Sequence, residues 1–265
     1  MTRNVVAAIA ATFTLITNTS AQEPAGQAAS PPVPNCQELA AALRTVTTND
    51  VRLKDWPNFA RYRDDNRNVS RADVVFLGDS ITDAWQQPRF GGFFPGKNYV
   101  DRGISGQTTP QMLLRVRPDV LNLTPKVVVI LAGTNDIAGN TGPMTDEEIE
   151  GNLASISELA AANGVKVVLA SITPVSEYHL ANPNATPQTT QRPMRRILAI
   201  NAWMRDYSAK HGHMYLDYFP AMTDAAGLLK AEFSADDLHP NRAGYEVMAP
   251  LAEAAIARAL SRSGG

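Results

Sequence analysis

Five short runs rich in β-branched residues punctuate this chain: Asp73–Leu77, Asn98–Arg102, Lys126–Ala132, Val165–Ser171 and Met214–Asp217. Several, Lys126-Val-Val-Val-Ile-Leu-Ala132 above all, are apolar without alternation. A strand needs that pattern when both of its faces are buried, the situation of a parallel sheet covered by helices. Parallel strands cannot be joined by tight hairpins, so each must return through a crossover. The intervening segments carry helix signatures. Thr109-Pro110 precedes Met112-Leu113-Leu114. Thr145 and Glu148 form a capping box ahead of Ile149, Leu153, Ile156 and Leu159, with a stop at Asn163-Gly164. Pro193 opens a run through Ile197, Ile200, Trp203, Met204 and Tyr207 that ends near His211-Gly212, and Asn241 caps a last helix through Val247 and Leu251 to about Leu260. The order of strand, helix, strand, helix predicts a three-layer α/β/α sandwich over residues 70–263 with right-handed crossovers. Reactive groups on such a sheet gather beyond the carboxyl ends of its strands.

Residues ahead of that domain read differently. Arg3, the apolar stretch Val5 to Ile16 and the small residues Thr19-Ser20-Ala21 form an export signal spanning residues 1–21, with cleavage expected after Ala21. The apolar stretch falls well short of the roughly 20 residues needed to span a bilayer, so no stable membrane insertion is expected once the signal is removed. The mature protein is expected to be secreted or periplasmic. Residues 22–35, rich in Ala, Gln and Pro, read as a flexible linker. Residues 36–69, with Trp56, Phe59 and Tyr62, read as an N-terminal extension packed on the domain. A formal net charge of −2 and a pI near 6.1 give no basic surface for a nucleic-acid partner. The lone Cys36 and only four histidines provide no ligand set for a cysteine-based metal site, and no cofactor is expected.

Four short segments fall just after a strand or just before a helix: Gly78-Asp79-Ser80, Arg102-Gly103-Ile104-Ser105, Gly133-Thr134-Asn135-Asp136 and Asp236-Asp237-Leu238-His239-Pro240. In this order they resemble the four blocks of the GDSL, or SGNH, hydrolases, whose named residues carry over as Ser80, Gly103, Asn135 and His239. The first block reads Gly-Asp-Ser-Ile where the family has Gly-Asp-Ser-Leu, a conservative apolar change. The resemblance implies a flavodoxin-like sheet and cofactor-free hydrolysis through an acyl-enzyme. It also implies ester substrates, which range in the family from lipids to acetylated sugars.

The residues themselves fit that chemistry. A serine hydroxyl becomes a useful nucleophile only when a neighbouring base takes its proton. Ser80 follows the first strand at a turn, where it could equally cap a helix. Of the histidines, His211 ends a predicted helix, His213 enters the next strand and His179 lies in a loop. His239 has Asp236 three residues before it, near enough to orient one ring nitrogen while the other faces Ser80. Asp237 competes for that role, and the family's Asp-x-x-His spacing favours Asp236. The N–H groups of Ser80 and Gly103 and the side-chain amide of Asn135 form the natural oxyanion set, although Gly103 could serve only a turn and Asn135 only a helix cap. Asp79 and Asp136 are expected to hold their loops. The stretch Gly91 to Asn98 imitates a phosphate-binding loop but lacks its Ser or Thr and reads as a surface loop.

The expected activity is hydrolysis of acetyl or other short-chain carboxylic esters, of small molecules or carbohydrates. A thioesterase, lysophospholipase or acyltransferase would use the same residues, and a non-catalytic carbohydrate-binding module on this fold is the reading from another class. The connection Pro174–Arg192 is long for a loop after a strand and carries Tyr178 and His179 as candidate substrate-binding groups, unless it is only a solvated surface loop.

Overall fold

The computed structural model, which describes residues 35–180, 182 and 184–262, turns each apolar run into a strand. These are β1 (Val74–Gly78), β2 (Tyr99–Gly103), β3 (Val127–Leu131), β4 (Lys166–Ala170) and β5 (Met214–Leu216). They form one five-stranded sheet in the order β2-β1-β3-β4-β5, with every pairing parallel. The helices are α1 (Cys36–Lys54), α2 (Arg63–Asn68), α3 (Ser80–Trp85), α4 (Thr109–Asp119), α5 (Thr134–Ile137), α6 (Asp146–Ala162), α7 (Gln188–Gln191), α8 (Met194–Lys210), α9 (Phe219–Met222) and α10 (Arg242–Ser261). The expected export signal and most of the linker lie outside the described residues.

Side chains alternate across each strand, so one sequence run feeds two cores. Val75, Leu77, Val128, Ile130, Val167 and Leu169 meet Met112, Ile149, Leu153, Ile197 and Met204 on one face. Val74, Phe76, Val127, Val129 and Val168 meet Trp85, Phe94, Tyr245, Met248 and Ile256 on the other. Truncating a wholly buried residue such as Leu153 removes about 2–5 kcal/mol of packing. The two faces explain why the central runs are uniformly apolar.

The helix boundaries have local causes. Thr145 Oγ1 accepts from Glu148 N at 3.2 Å while Glu148 Oε2 accepts from Thr145 N at 2.8 Å, the reciprocal cap that starts α6. Asn241 Oδ1 accepts from Gly244 N at 3.2 Å and starts α10. Gly164, at φ +76°, takes the chain out of α6. The loop after α3 does more than cover the surface. It buries Phe94, whose ring lies 5.0 Å from Phe76 and 5.1 Å from Trp85.

The chain divides into two units, Met1–Thr45 and Val46–Gly265. In the first, Asn35 caps α1 by accepting from Gln37 N and Glu38 N at 2.9 and 3.0 Å. In the second, Tyr62 is buried and its hydroxyl donates to Gly103 O, whereas Trp56 and Phe59 stay 40% and 37% exposed.

The connections leave β1 toward β2 on one side and β3 toward β4 on the other. The carboxyl ends of β1 and β3 therefore flank the topological switch point, where open α/β sheets place their ligands.

Candidate active site

Two glycines set the helix that begins at Ser80. Gly78 and Gly103 are register partners at the ends of β1 and β2, and α3 lies directly on both. A Cβ on Gly78 would meet Thr82 Oγ1 at 2.0 Å, and one on Gly103 would meet Asp83 N at 2.1 Å. Only bare backbone admits the helix so close. Ser80 opens α3, and its cap is the preceding residue: Asp79 Oδ1 accepts from Ile81 N at 2.9 Å. Ser80 N–H is thus one of the first-turn donors that a helix leaves without an internal partner. Burial pushes the Asp79 carboxyl up to about 6, against the opposing bond from Ile81 N–H. From the far side, Tyr245 on α10 donates its hydroxyl to Ile81 O at 2.7 Å and locks α10 to the same turn.

The turn before α10 brings His239 to Ser80. His239 Nε2 lies 2.9 Å from Ser80 Oγ, and its Nδ1 lies 2.7 Å from Asp236 Oδ2. Asp236 Oδ1 also accepts from the backbone N–H of His239 at 2.8 Å and of Leu238 at 3.2 Å. Burial works to raise the Asp236 carboxyl, but the bonds from the His239 ring and backbone outweigh it and hold the group well below the usual carboxylate range. Ser234 Oγ donates to His239 O at 2.9 Å and closes the turn.

Asp237 takes a different set of partners. It sits at φ +68°, a left-handed conformation that Asp tolerates better than most residues. Its carboxylate accepts from Ser176 Oγ at 2.7 Å, Tyr178 N at 2.9 Å and His179 N at 2.8 Å. His179 Nδ1 lies 3.1 Å from the same group. Asp237 therefore anchors the connection after β4. Tyr178 and His179, the candidate substrate-binding groups, also bond within the protein, and the Tyr178 hydroxyl donates to Asp224 Oδ2 at 2.6 Å.

The third block supplies an amide aimed across the sheet end. Asn135, 3% exposed, donates one side-chain N–H to Gln107 O at 3.0 Å, which leaves its second N–H for a ligand. Asp136 accepts from Thr109 N at 2.8 Å and Thr109 Oγ1 at 2.5 Å, joining α5 to the start of α4.

Gly103 does not have the same freedom. Its N–H donates to Asp101 Oδ1 at 2.7 Å, its carbonyl accepts from Tyr62, and its Cα face is filled by α3. Three residues on, Gly106 is exposed at φ +80° and its N–H donates to no acceptor among the described residues. Its carbonyl accepts from Asn140 Nδ2 at 3.1 Å, and its neighbour Gln107 holds Asn135. The Gly103 N–H, expected in the oxyanion set, is thus committed to Asp101, whereas that of Gly106 has no acceptor among the described residues. The family resemblance pointed to Gly103, and nothing in the residue pattern shows that this glycine lies under α3 while Gly106 does not.

Two further groups escaped the sequence reading. Arg115, fully buried, pairs with Asp119 at 2.6 Å and donates from Nε to Gln107 Oε1 at 2.7 Å, so it stiffens the loop that holds Asn135. Its signal was present as a charge on the Met112–Val116 face, four residues before Asp119. Arg192, 5% exposed, donates from Nε to Thr134 Oγ1 at 3.0 Å. Burial lowers its pKa, and the carboxylates of Asp79 and Asp236 act against that. No pattern in the sequence marked it. Among the described residues no three His, Cys, Asp or Glu side chains converge to hold a metal.

A hydroxyl, an imidazole and a carboxylate joined in one hydrogen-bonded line beside unpaired N–H donors can transfer an acyl group. Residues 76–247 match the GDSL-like lipase/acylhydrolase family. The chain belongs to that family. As a GDSL-family protein it is a carboxylic ester hydrolase, built on the five-stranded parallel sheet expected from the sequence. Its fold superposes on a GDSL-like lipase of Bacteroides thetaiotaomicron with a TM-score of 0.68 and 36% identity, covering 77% of this chain and 98% of that one. A Bacteroides fragilis protein assigned as an acylhydrolase gives 0.70 and 36% over the same shares. Among curated proteins, the alpha2 subunit of human platelet-activating factor acetylhydrolase IB is 27% identical over 68% of this chain and 75% of its own length.

Proposed function

We propose that this GDSL-family protein is an exported serine esterase that cleaves acetyl and other short-chain carboxylic esters through an acyl-enzyme. Ser80 is the nucleophile, His239 the general base and Asp236 the residue that orients the imidazole. The oxyanion donors are Ser80 N–H, Gly106 N–H and Asn135 Nδ2. The observation that carries the proposal is the single line of hydrogen bonds from Asp236 through His239 to Ser80, at 2.7 and 2.9 Å. Export rests on the pattern of residues 1–21. The acyl preference draws support from the relative whose name is an acetylhydrolase.

The steps follow from the positions. As Ser80 Oγ bonds to the ester carbonyl carbon, its proton passes to His239 Nε2, while Asp236 keeps the Nδ1 proton in place and stabilises the imidazolium. The carbonyl oxygen gains charge and draws on the N–H donors, each worth roughly 3–4 kcal/mol in such sites. His239 then protonates the departing alcohol. Water then bonds through its oxygen to the acyl carbon as it gives a proton to His239 Nε2, and the acyl–Ser80 bond breaks as His239 returns that proton to Ser80 Oγ, releasing the carboxylic acid. The test is turnover of p-nitrophenyl acetate by the wild type and by Ser80→Ala. Loss of about four orders of magnitude or more in kcat supports the reading. Retention of wild-type rates by the folded variant defeats it.

A further inference from the structure

A cavity of about 850 Å³ lies beside the oxyanion loop, and its outer wall is built by residues that precede the matched family region. It is lined on one side by Ile104, Ser105, Gly106 and Gln107, and on the other by the turn Asp55–Ala60. That turn is firmly made. Asp55 Oδ1 and Oδ2 accept from Phe59 N and Ala60 N at 2.8 and 2.9 Å. Gln107 Nε2 donates to Pro57 O at 2.7 Å and Gln111 Nε2 to Trp56 O at 2.8 Å, so the backbone is pinned to the loop and helix that carry the site.

The backbone is fixed, yet the Trp56 side chain is left 40% exposed on the cavity. Its indole N–H and the carboxamide of Asn58 have no partner among the described residues, and both line the same space. A rigid flat ring with a free donor, flanked by amides and hydroxyls, suits a ligand that has an apolar C–H face and a polar rim. A pyranose ring has that character. A long acyl chain does not, because it would cover the Asn58 carboxamide and the Trp56 indole N–H without offering either a partner.

Resting on the ester-hydrolase reading above, we propose that the Asp55–Ala60 turn forms a sugar-binding subsite for the alcohol part of the substrate, with Trp56 as its stacking platform. The substrate class is then an O-acetylated oligosaccharide. A sugar unit stacked on Trp56 sets the position of the acetylated unit relative to Ser80, so Trp56 is a specificity residue with no part in the chemical step.

The test compares the full-length wild type with Trp56→Ala on p-nitrophenyl acetate, p-nitrophenyl palmitate and O-acetylated cello- and xylo-oligosaccharides. For Trp56→Ala, kcat/KM on p-nitrophenyl acetate should stay within about twofold of wild type. On the oligosaccharides it should fall about tenfold or more, chiefly through KM. Binding of the same oligosaccharides to Ser80→Ala by calorimetry should weaken equally when Trp56→Ala is added, a readout that needs no turnover. The proposal is overturned if Trp56→Ala changes all substrates alike, if it acts on the palmitate ester alone, or if the wild type hydrolyses p-nitrophenyl acetate but neither turns over nor binds the oligosaccharides. Absence of all esterase activity in the wild type, with oligosaccharide binding retained and sensitive to Trp56→Ala, would defeat the catalytic reading and leave the subsite standing.

Discussion

The two halves of the candidate site differ in how they are held. The His239 turn is open, with side-chain exposures of 36% for His239 and 56% for Asp236. The Asn135 half is closed, with Asn135 3% and Asp136 1% exposed, and is tied through Gln107 to the buried pair of Arg115 and Asp119. An exposed imidazole can move protons to and from alcohol and water. An amide that must meet a developing charge gains from a fixed position, because it then needs no reorganisation during reaction. The open half should therefore govern rate without governing stability, while the closed half should govern both.

The largest effect should come from the open half. His239→Ala is expected to lower kcat by about four orders of magnitude and to leave the thermal midpoint unchanged within experimental error. Steady-state kinetics and a melting curve check both. In the closed half, Asn135→Ala should lower kcat about a hundredfold or more with a smaller change in KM. Asp136→Ala should destabilise by about 2–3 kcal/mol in urea, because it strands the buried Thr109 N–H and hydroxyl. A stable, slow Asp136→Ala would break the contrast between the halves.

The two glycines sharpen it further. Gly103→Ala forces a Cβ to within 2.1 Å of Asp83 N and should prevent stable folding or remove about 3 kcal/mol or more. Gly106→Ala meets only Asn140 Nδ2 at 3.9 Å, so it bears mainly the strain of φ +80°, about 1–2 kcal/mol. That variant should fold and lose activity as its N–H is displaced. The reverse ranking of stabilities would contradict the assignment of Gly106.

A further effect is on the pH dependence of stability. Asp79 in the folded protein keeps its proton to about 6, whereas the unfolded chain releases it near 3.8. Between those values the native state binds more protons, so stability falls as pH rises and the loss is complete above the folded value, on the order of 3 kcal/mol. Asp101, pushed by burial to about 7, acts in the same direction. Asp79→Asn retains the cap acceptor and should flatten part of this decline in urea titrations at pH 4.5 and 7.5. An unchanged slope would show that Asp79 is ionised without penalty.

Much of this could be read from sequence where one residue pattern has one structural meaning. The runs at Val74 and Val127 had to be doubly covered strands, and Thr145-x-x-Glu148 had to start a helix. The four-residue helices α5, α7 and α9 could not be read, since a single turn has no period to detect. Tertiary contact also decided between neighbours of like chemistry. Asp236 meets His239 while Asp237 anchors the loop after β4, and Gly103 lies under α3 while Gly106 is free. The turn at Trp56 was equally hidden, because what exposes its ring is its pinning by Gln107 and Gln111 from elsewhere in the chain.

The central claim is that Ser80 carries the acyl group and His239 activates it. Its most direct test is labelling with an alkyl fluorophosphonate, followed by mass spectrometry of the digested protein. The account predicts one phosphonyl group on the peptide containing Ser80, formed in step with the loss of esterase activity, absent from Ser80→Ala and strongly slowed in His239→Ala. Complete inactivation with the label on any other residue, or full esterase activity in a protein fully labelled at Ser80, would contradict it.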